Sequence, residues 1–439
     1  MRRTVVSFLA ILLSTATLAA EERFPAPEFR SGYELPATET TPPSAEYFAW
    51  IDVAVLLIAL SIGTWLVLKR RSRRGVFVLM LASLLYFGFY REGCVCSIGA
   101  TQNVAQSAGT GMALPWIIAA FFALPLLFAL FFGRIFCAGV CPLGAIQDVV
   151  LWRPVRVPEW LEHALGLIPW IYLGLALLYA TIGTEFIICR YDPFVGFFRM
   201  SGPAHMLMLG GVLLVIGMFV GRPYCRFLCP YSVLLRSLSP FARHRVSITP
   251  KDCVDCRLCE QSCPFGAIRD PVTRPAKKSL VPMRRQLVLS ILATPIVMVA
   301  LGLVGYISGP TLASRDFTVR LAERIWNEEQ GLVADVSDES KAFRGSGGVP
   351  QQLYERARQI RRNFTTGATI LGACIGLVVG LKVINAVVRR GREGYTADPG
   401  ACLACARCYA SCPVGKPVEL TIAQKQEQEQ EEEKELAAV

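Results

Sequence analysis

The sequence predicts a mainly α-helical protein that crosses a membrane several times. Of its 439 residues, 53% are hydrophobic and only 18% are charged, and the mean hydropathy is +0.43. Ordinary soluble domains carry more charge and fewer apolar residues. Apolar segments also recur along the chain, most of them near the ~20 residues that a helix needs to cross a bilayer. These observations favour a helical bundle in a membrane over a soluble domain.

The N-terminal segment has the layout of a secretory signal. A basic pair is followed by an apolar stretch over Val5 to Leu13 and by small residues ending near Ala20. We expect residues 1–20 to be a signal peptide cleaved close to Glu21. Without cleavage, the segment becomes one more helix with its N-terminus inside. In both cases the Pro-rich residues 21–46 form an extended arm on the periplasmic side.

Seven further apolar segments define the predicted spans. The basic loop KRRSRR at 69–74 places the end of the first span inside the cell, and each later loop then alternates sides. Residues 47–249 therefore form a five-span core in the bacterial inner membrane. Two more spans, at 287–308 and 365–389, enclose a periplasmic helical cap over 309–364 with two amphipathic helical patterns. The apolar segments are 47–68, 76–90, 112–136, 165–188, 205–224, 287–308 and 366–388.

Two cysteine runs carry the strongest chemical signal. CVDCRLCEQSCP is repeated near the C-terminus as CLACARCYASCP, and both match the bacterial ferredoxin spacing C-x2-C-x2-C-x3-C-P. The first three thiolates of a run converge on one [4Fe-4S] cluster, and the fourth usually binds the neighbouring cluster. A structural zinc site is the alternative, but zinc sites rarely repeat this run with its trailing proline. We predict crossed ligation, with Cys253, Cys256, Cys259 and Cys412 on one cluster and Cys402, Cys405, Cys408 and Cys263 on the other.

Crossed ligation requires both cysteine runs to lie on one side of the membrane. Two spans separate the runs, and an even number of crossings returns the chain to the same face. The predicted fold class is therefore mainly α, a polytopic membrane helical bundle of about seven spans after signal cleavage, with a split bacterial-type two-[4Fe-4S] ferredoxin domain on the cytoplasmic face. The two halves of this domain are residues 250–286 and 390–420, and residues 421–439 form an acidic tail.

Two shorter motifs, FCAGVCP and YCRFLCP, each follow a Gly-Arg pair at the inner end of a predicted span. On a helix, positions i and i+4 share a face, so each motif can present two thiolates in one direction. The hypothesis is an inner membrane site for a further iron-sulfur centre. The alternative is a set of small residues in close helix packing. The four thiols are Cys137, Cys141, Cys225 and Cys229.

The first of these motifs belongs to an internal repeat. Aligning Cys96 of GCVCSIGATQNV with Cys141 of CAGVCPLGAIQDVV matches Gln102 to Gln147, and an asparagine to an aspartate one residue later. The chain thus contains the same cysteine-bearing helix start twice. The repeat suggests an outer iron-sulfur centre, which would carry electrons part of the way across ~30 Å of hydrocarbon. The alternative is a disulfide among these thiols in an oxidising compartment. The outer thiols are Cys94, Cys96 and Cys189.

Other cofactors are disfavoured. The three histidines, His163, His205 and His244, do not face each other at one depth, as a bis-histidine haem requires. No Gly-rich dinucleotide fingerprint follows a strand, so direct oxidation of NADH is not expected. Basic residues cluster beside apolar spans, as orientation in a membrane requires, so nucleic acid is not needed to explain them. The lone Cys374 is interpreted as packing. The stretch SIGAT resembles a flavin-attachment motif, but Ile98 interrupts it, so flavin is expected only on a partner, if at all.

The segments GRIFCAGVCPLGA and GRPYCRFLCPYSV, followed by ferredoxin runs, resemble a family of membrane polyferredoxins. It includes NapH of periplasmic nitrate reduction, NosR of nitrous oxide reduction and the membrane proteins that accompany reductive dehalogenases. The resemblance covers roughly residues 112–270 and the second ferredoxin run. It implies electron transfer between a quinol or cytoplasmic donor and a periplasmic redox enzyme. The chain departs from NosR in having no large outer flavin-binding domain ahead of the spans, and from NapH in its outer CVC stretch.

Two functions fit these features. The first is an electron-transfer subunit of anaerobic respiration, which relays electrons from a cytoplasmic electron donor or quinol to a periplasmic reductase or flavoprotein. The second is an assembly or regulatory protein whose clusters reduce a metal or thiols during the maturation of another enzyme. Neither function requires a catalytic residue. The chain is therefore expected to work in contact with membrane lipid, within an oxidoreductase system, rather than as a stand-alone enzyme.

Overall fold

The computed structural model describes residues 46–93, 96–248, 253–271, 280–333, 335–388 and 394–413. The predicted signal peptide, the extended arm up to residue 45, Cys94 and the acidic tail lie outside the described residues. The helices of the first part of the chain are α1 (Glu46–Leu68), α2 (Arg73–Ser83), α3 (Ser97–Thr110), α4 (Trp116–Phe132), α5 (Ile135–Gly139), α6 (Pro142–Val149), α7 (Glu159–Leu165), α8 (Ile168–Ile182), α9 (Ile187–Arg190), α10 (Val195–Phe198), α11 (Ala204–Gly217), α12 (Pro223–Phe227) and α13 (Pro230–Leu238). The later elements are α14 (Leu258–Gln261), β1 (Ile268–Arg269), α15 (Leu280–Ala313), α16 (Phe317–Glu329), α17 (Asp338–Gly345), α18 (Pro350–Val387), β2 (Thr396–Ala397) and α19 (Arg407–Ser411).

Among the described residues, five helical stretches are long and apolar enough to cross a membrane, and α4 and α11 are shorter apolar helices. Each of the seven predicted segments therefore contains an apolar helix, while the number of crossings stays a prediction. The fourth segment ends earlier than its hydropathy suggests. Helix α8 stops at Ile182 because Gly183 adopts a φ of +81°, which favours glycine. Cys189 consequently lies on the separate short helix α9.

Helices α15 and α18 form a hairpin with closely packed backbones. Three glycines of α18 face α15, and a Cβ atom added to Gly372 would lie 2.0 Å from the Leu301 carbonyl oxygen. Gly372, Gly376 and Gly380 recur at every fourth residue of α18, and this spacing of small residues on one face permits the close contact. The interpretation of Cys374 as packing is wrong, because this side chain is exposed. Two residues beyond Gly372, it points away from the glycine face of the helix.

The hairpin brings the two ferredoxin halves together. Strands β1 and β2 pair antiparallel, with Ile268 opposite Ala397 and Arg269 opposite Thr396. The Asp398 amide donates a hydrogen bond of 2.7 Å to the Ala267 carbonyl and extends this pairing. Both cysteine runs therefore lie at the same end of the helical bundle, as crossed ligation requires.

A small helical unit follows α15, in the region predicted as a cap. Asp316 caps α16 by accepting hydrogen bonds from the Thr318 and Val319 amides, at 2.8 and 3.3 Å. Glu328 near the end of α16 binds Arg324 at 3.1 Å and Arg344 at 3.0 Å. The apolar faces of α16 and the first turns of α18 enclose a separate core of Val319, Leu321, Ala322, Ile325, Leu353 and Ala357.

The packing of the hairpin predicts different effects of alanine substitution at two glycines of α15. A Cβ atom at Gly305 would lie 2.0 Å from the Ala368 carbonyl oxygen, whereas one at Gly302 would lie no closer than 3.6 Å to any neighbour. We expect G305A to destabilise the protein by about 1–3 kcal/mol through overpacking, and G302A to be neutral. Unfolding of the full chain in detergent measures both. Equal effects of the two substitutions would contradict the close packing.

Candidate iron-sulfur centres

Four cysteines from both ferredoxin runs line one cavity. Cys253, Cys256, Cys259 and Cys412 line a small pocket that is also bounded by Tyr395. Cys253 and Cys256 come from the loop before α14, Cys259 lies in α14, and Cys412 directly follows α19. This is the grouping that crossed ligation predicts for the first cluster.

The other four cysteines form a second group. Cys263 lies close enough to Cys405 for the two thiol groups to interact electrostatically. Cys408 lies within the same interaction distance of Cys405, Cys402 and Cys263. All four pack against one apolar cluster that contains Ile268. The fourth cysteine of the first run is thus placed with the first three cysteines of the second run.

The two cysteine loops have the same backbone conformation. Asp255 and Arg257 flank Cys256 with positive φ angles of +50° and +59°, and Ala404 and Ala406 flank Cys405 with φ angles of +55° and +61°. A left-handed residue other than glycine costs about 1–2 kcal/mol, so a repeated pair requires a reason. Alternating backbone angles of this kind turn successive N–H groups inward, and such nests bind anionic groups, including iron-sulfur clusters.

The CxxxCP cysteines gather in the core of the bundle. All four thiols are buried. Cys141 interacts electrostatically with Cys225 and Cys137. Cys229 interacts in the same way with Cys225, Cys141 and Cys137. The predicted inner group of four is therefore present in the fold.

The helical explanation for this group is wrong. Cys137 lies in α5 and Cys225 in α12, but Cys141 and Cys229 are the N-caps of the next helices, α6 and α13, in extended conformation. Each N-cap cysteine precedes a proline, and proline disfavours the helical conformation of the residue before it. The thiols converge because the chain breaks between them, not because they share a helix face.

The internal repeat has a structural counterpart in two glutamines. Gln147 accepts a hydrogen bond from the Tyr224 amide at 3.0 Å and directs its own amide at the Cys225 sulfur, 3.4 Å away. Gln102 accepts from the Ile188 amide at 2.7 Å and lies 3.6 Å from the Cys189 sulfur. Each glutamine thus holds the residue before a cysteine and the cysteine itself.

The outer thiols lie beside a mainly apolar, partly open cavity. Cys96 and Cys189 line it together with Asn103 and the buried Asp192, which are among its polar residues. Cys96 also shares a smaller cavity with Cys141 of the inner group. Because Cys94 lies outside the described residues, a shared cluster and a disulfide both stay predictions for the outer thiols.

One apolar cluster connects these groups. It contains Cys137, Cys141, Cys225 and Cys229, and further cysteines from both ends pack against it. The cysteines at its edge are Cys96, Cys263, Cys402 and Cys405.

Asp148 at the end of α6 is surrounded by three arginines. Its carboxylate lies 2.6 Å from Arg73, 3.2 Å from Arg407 and 3.5 Å from Arg222. The Asp148 and Arg222 side chains are both fully buried. Burial raises the pKa of the Asp148 carboxyl, but the charges of Arg222, Arg407 and Arg73 outweigh it and hold the pKa well below its usual range. Asp148 is therefore a charged link between the helical core and the second ferredoxin run.

The Gly-Arg pairs before the CxxxCP motifs also bind the ferredoxin runs. Arg222 donates to the Cys137 and Ala138 carbonyls, and its guanidinium lies 5.9 Å from the centre of the Phe265 ring. Arg134 donates to the Gly400 carbonyl at 2.9 Å. Arg222 thus contacts the CxxxCP region of the core and a residue beside the first ferredoxin run. Arg134 contacts the loop before the second ferredoxin run.

Sequence reasoning missed Asp148, Arg222, Arg134 and the glutamines as functional residues. The Gly-Arg pairs were visible as the common context of both motifs, and the repeat aligned Gln102 with Gln147. Neither pattern indicates the partner of a side chain. The partners lie far away in sequence, as with Asp148 and Arg407, so only the fold identifies them.

Known protein families match the segments that carry the cysteine motifs. A 4Fe-4S binding domain family matches residues 114–167, 202–249 and 259–282, and a second 4Fe-4S binding domain matches residues 246–269. The first two segments each contain one CxxxCP motif. No solved structure matches the chain significantly.

Several curated proteins are similar to the chain. The electron transport protein YccM of Escherichia coli K12 is 26% identical over 187 residues, which are 38% of this chain and 52% of YccM. Protein NirI of Paracoccus denitrificans is 31% identical over 162 residues, or 33% of this chain and 23% of NirI. The regulatory protein NosR of Pseudomonas aeruginosa is 28% identical over 233 residues, or 46% of this chain and 30% of NosR. The chain thus spans about half the length of YccM and less of the other two.

The chain is similar to membrane polyferredoxins such as NosR and contains 4Fe-4S binding domains. Its donor atoms fit iron-sulfur clusters, because thiolates are the ligands that such clusters require. Within the described part of the chain, no three Cys, His, Asp or Glu side chains surround a single metal ion. A [4Fe-4S] cluster instead takes one thiolate at each iron, and the thiols here line cavities. Burial raises the pKa of the Cys402 thiol to about 12, so this thiol releases a proton when it binds iron.

The buried charges of this polyferredoxin predict the effect of D148N. Removing the carboxylate leaves the Arg222 guanidinium buried without its counter-charge, and we expect a loss of about 3–5 kcal/mol. The control D338N removes an exposed partner of Lys341 and is expected to change stability by less than about 1 kcal/mol. Denaturation of the full chain in detergent measures both variants.

The loss of stability in D148N is expected to depend on pH. Because the pKa of Asp148 is lowered in the folded chain, its contribution to stability is complete above its unfolded pKa of about 3.9 and declines as the pH falls further. The stability difference between wild type and D148N should therefore shrink on acidification. A difference that grows as the pH falls would contradict the charged link.

Proposed function

We propose that this polyferredoxin is a membrane-bound iron-sulfur electron-transfer protein, which relays electrons between a cytoplasmic or quinol donor and a periplasmic redox partner. The observation that carries the proposal is the series of thiols along one apolar cluster. It runs from Cys96, beside the outer cavity, through the buried CxxxCP thiols to Cys402 and Cys405 of the ferredoxin runs. A relay across ~30 Å of hydrocarbon needs carriers at intermediate depth, and this series supplies their ligands.

In this proposal each ferredoxin centre is a [4Fe-4S] cluster with crossed ligation. Cys253, Cys256, Cys259 and Cys412 would hold the first cluster, and Cys402, Cys405, Cys408 and Cys263 the second. When bound, such a cluster accepts and donates one electron. The support is the shared cavity of the first group and the proximity of Cys263 to the second group.

The buried CxxxCP group would hold a further iron-sulfur centre, ligated by Cys137, Cys141, Cys225 and Cys229. Arg222 lies within electrostatic range of Cys137 and Cys225 on one side and of Cys405 on the other. A fixed positive charge in a low-dielectric interior stabilises added negative charge nearby. Arg222 would therefore favour the reduced state of both neighbouring centres and raise both reduction potentials.

The ferredoxin end of the bundle would face the cytoplasm of a bacterial inner membrane. Arg70, Arg71 and Arg73 follow α1 at this end, and Arg71 lies over the Tyr409 ring of the second run at 5.0 Å. Loops rich in Arg and Lys stay on the cytoplasmic side of membrane proteins. The outer cavity with Cys96 and Cys189 would then face the periplasmic partner.

Crossed ligation makes a specific prediction about C412S. This substitution should alter the EPR signal of the cluster that C253S alters and leave the other signal intact, because both thiols would bind one cluster. C408S should alter the other cluster. Iron analysis and EPR of the anaerobically purified variants measure these outcomes. Matching spectra of C412S and C408S would instead indicate uncrossed ligation.

The relay itself is tested in sealed vesicles. The full chain is reconstituted in vesicles with trapped cytochrome c, and the membrane-impermeant reductant dithionite is added outside. We expect reduction of cytochrome c in vesicles that contain the wild-type chain, and its loss in the variant C141S/C225S. C374S, which changes an exposed cysteine of α18, is the control and should keep the wild-type rate.

The double variant also separates a relay from an assembly role. If C141S/C225S keeps both ferredoxin EPR signals but no longer reduces the trapped cytochrome c, the buried thiols carry electrons across the membrane. If wild-type vesicles reduce cytochrome c no faster than vesicles without protein, the relay is refuted and the assembly role of a one-sided cluster protein is favoured.

A further inference from the structure

An open groove lies between the C-terminal ends of α1 and α4. Its walls are apolar and aromatic, and its rim carries cations from the end of α1 and from the loop after α13. The wall residues are Trp65, Leu68, Phe128 and Phe132, and the rim residues are Lys69, Arg243, His244 and Arg245.

The lining of the groove changes from apolar to basic along the direction of the helices. Trp65 and Phe128 lie within the apolar helices α1 and α4, both of which are hydrophobic along most of their length. The cations begin where these helices end. Hydroxyl groups of Ser61, Thr64 and Ser247 supply further polar atoms to the same groove. An amphiphile with a hydrophobic tail along the helices and a polar head at the rim matches this order.

The rim is attached to the helical core. The His244 amide donates a hydrogen bond of 3.0 Å to the Phe131 carbonyl, and the His244 ring lies 6.0 Å from the Phe132 ring. The neighbouring residues Val246 and Ile248 are buried in the core. The loop that carries Arg243 and Arg245 is therefore held against the end of α4.

The rim cations have no acidic counter-charge within the described residues. The ion pairs there involve other arginines and lysines, such as Arg73 and Arg222 with Asp148, and none involves Lys69, Arg243 or Arg245. The ends of α1 and α4 contribute only about half a negative charge each through their dipoles. Three full positive charges at one exposed rim thus exceed the nearby negative charge, so the rim attracts anions.

We propose that this groove binds an acidic phospholipid, with the phosphate at Lys69, Arg243 and Arg245 and the acyl chains along Trp65 and Phe128. Basic pockets between membrane helices on the cytoplasmic side bind anionic lipid headgroups. A neutral amphiphile would leave the rim charge unbalanced, and a soluble anion would leave the aromatic wall without a partner. The proposal does not depend on the relay.

The lipid would also lie next to the second ferredoxin group. Phe132 and Arg245 of the groove line a small neighbouring cavity together with Cys402. A headgroup at Arg245 would therefore add negative charge near this group. The membrane composition at this site would influence the centre that Cys402 is proposed to hold.

The experiment uses Trp65 as the reporter. The full chain is reconstituted in phosphatidylcholine bilayers that contain increasing amounts of brominated phosphatidylglycerol, and the Trp65 signal is obtained by subtracting the fluorescence of W65F. Brominated phosphatidylcholine is the neutral comparison. We expect phosphatidylglycerol to quench Trp65 at a lower mole fraction than phosphatidylcholine does.

The rim variants measure the role of charge. One cation near a membrane surface contributes about 1 kcal/mol of attraction for anionic lipid, so R245Q should reduce the preference for phosphatidylglycerol about fivefold. K69Q/R243Q/R245Q should abolish it. The control R153Q changes an arginine that lies over Trp152, outside the groove, and should keep the wild-type preference. Unchanged quenching by brominated phosphatidylcholine shows that a variant groove is intact.

Three results would overturn the proposal. Equal quenching of wild type by both lipids would show that the groove does not select charge. A loss in R153Q as large as in R245Q would indicate general attraction of anionic lipid to the whole surface. Release of phosphatidylglycerol by inorganic phosphate would show that the rim is a site for a soluble anion.

Discussion

The buried carboxylate of Asp148 is the interaction on which the arrangement of this polyferredoxin depends. Withdrawing a carboxylate from water costs several kcal/mol, and here three guanidinium groups from distant parts of the chain offset that cost. Arg73 lies at the start of α2, Arg222 precedes a CxxxCP motif, and Arg407 lies between two ferredoxin cysteines. Loss of one of these arginines would leave the buried carboxylate with less compensating charge. The core and the second cysteine run are therefore held together by one electrostatic link.

The internal repeat explains how thiols are positioned without a continuous helix. Gln102 and Gln147 each use one side-chain amide for two tasks, because the oxygen satisfies a backbone N–H and the nitrogen points at a sulfur atom. A buried N–H without an acceptor would cost about 1–3 kcal/mol, so the chain before Cys189 and Cys225 is held in place. Hydrogen bonds from a neighbouring side chain to a metal ligand orient that ligand. The positions of these thiols thus follow from the protein's own hydrogen bonds.

Much of this organisation was predictable from local sequence patterns. Apolar length predicted helices in all seven segments. The four-residue spacing of glycines on α18 is likewise visible in the sequence, because helix periodicity is a local property, but it does not identify α15 as the partner helix. The crossed grouping of Cys412 with Cys253 followed from a known spacing. The same-face argument failed at Cys141 and Cys229, where a following proline ends the helix. Asp148 and Arg222 were not predictable as a pair, because a buried salt bridge between residues 74 positions apart leaves no periodic signal.

The most direct test of the account is to locate iron in the folded chain. Diffraction from crystals of the anaerobically purified protein, collected at the iron absorption edge, shows iron positions independently of any substitution. The account predicts anomalous density within both crossed ferredoxin groups and a further peak among the buried thiols of Cys137, Cys141, Cys225 and Cys229. Density confined to the ferredoxin groups, with none in the helical core, would contradict a relay through the membrane.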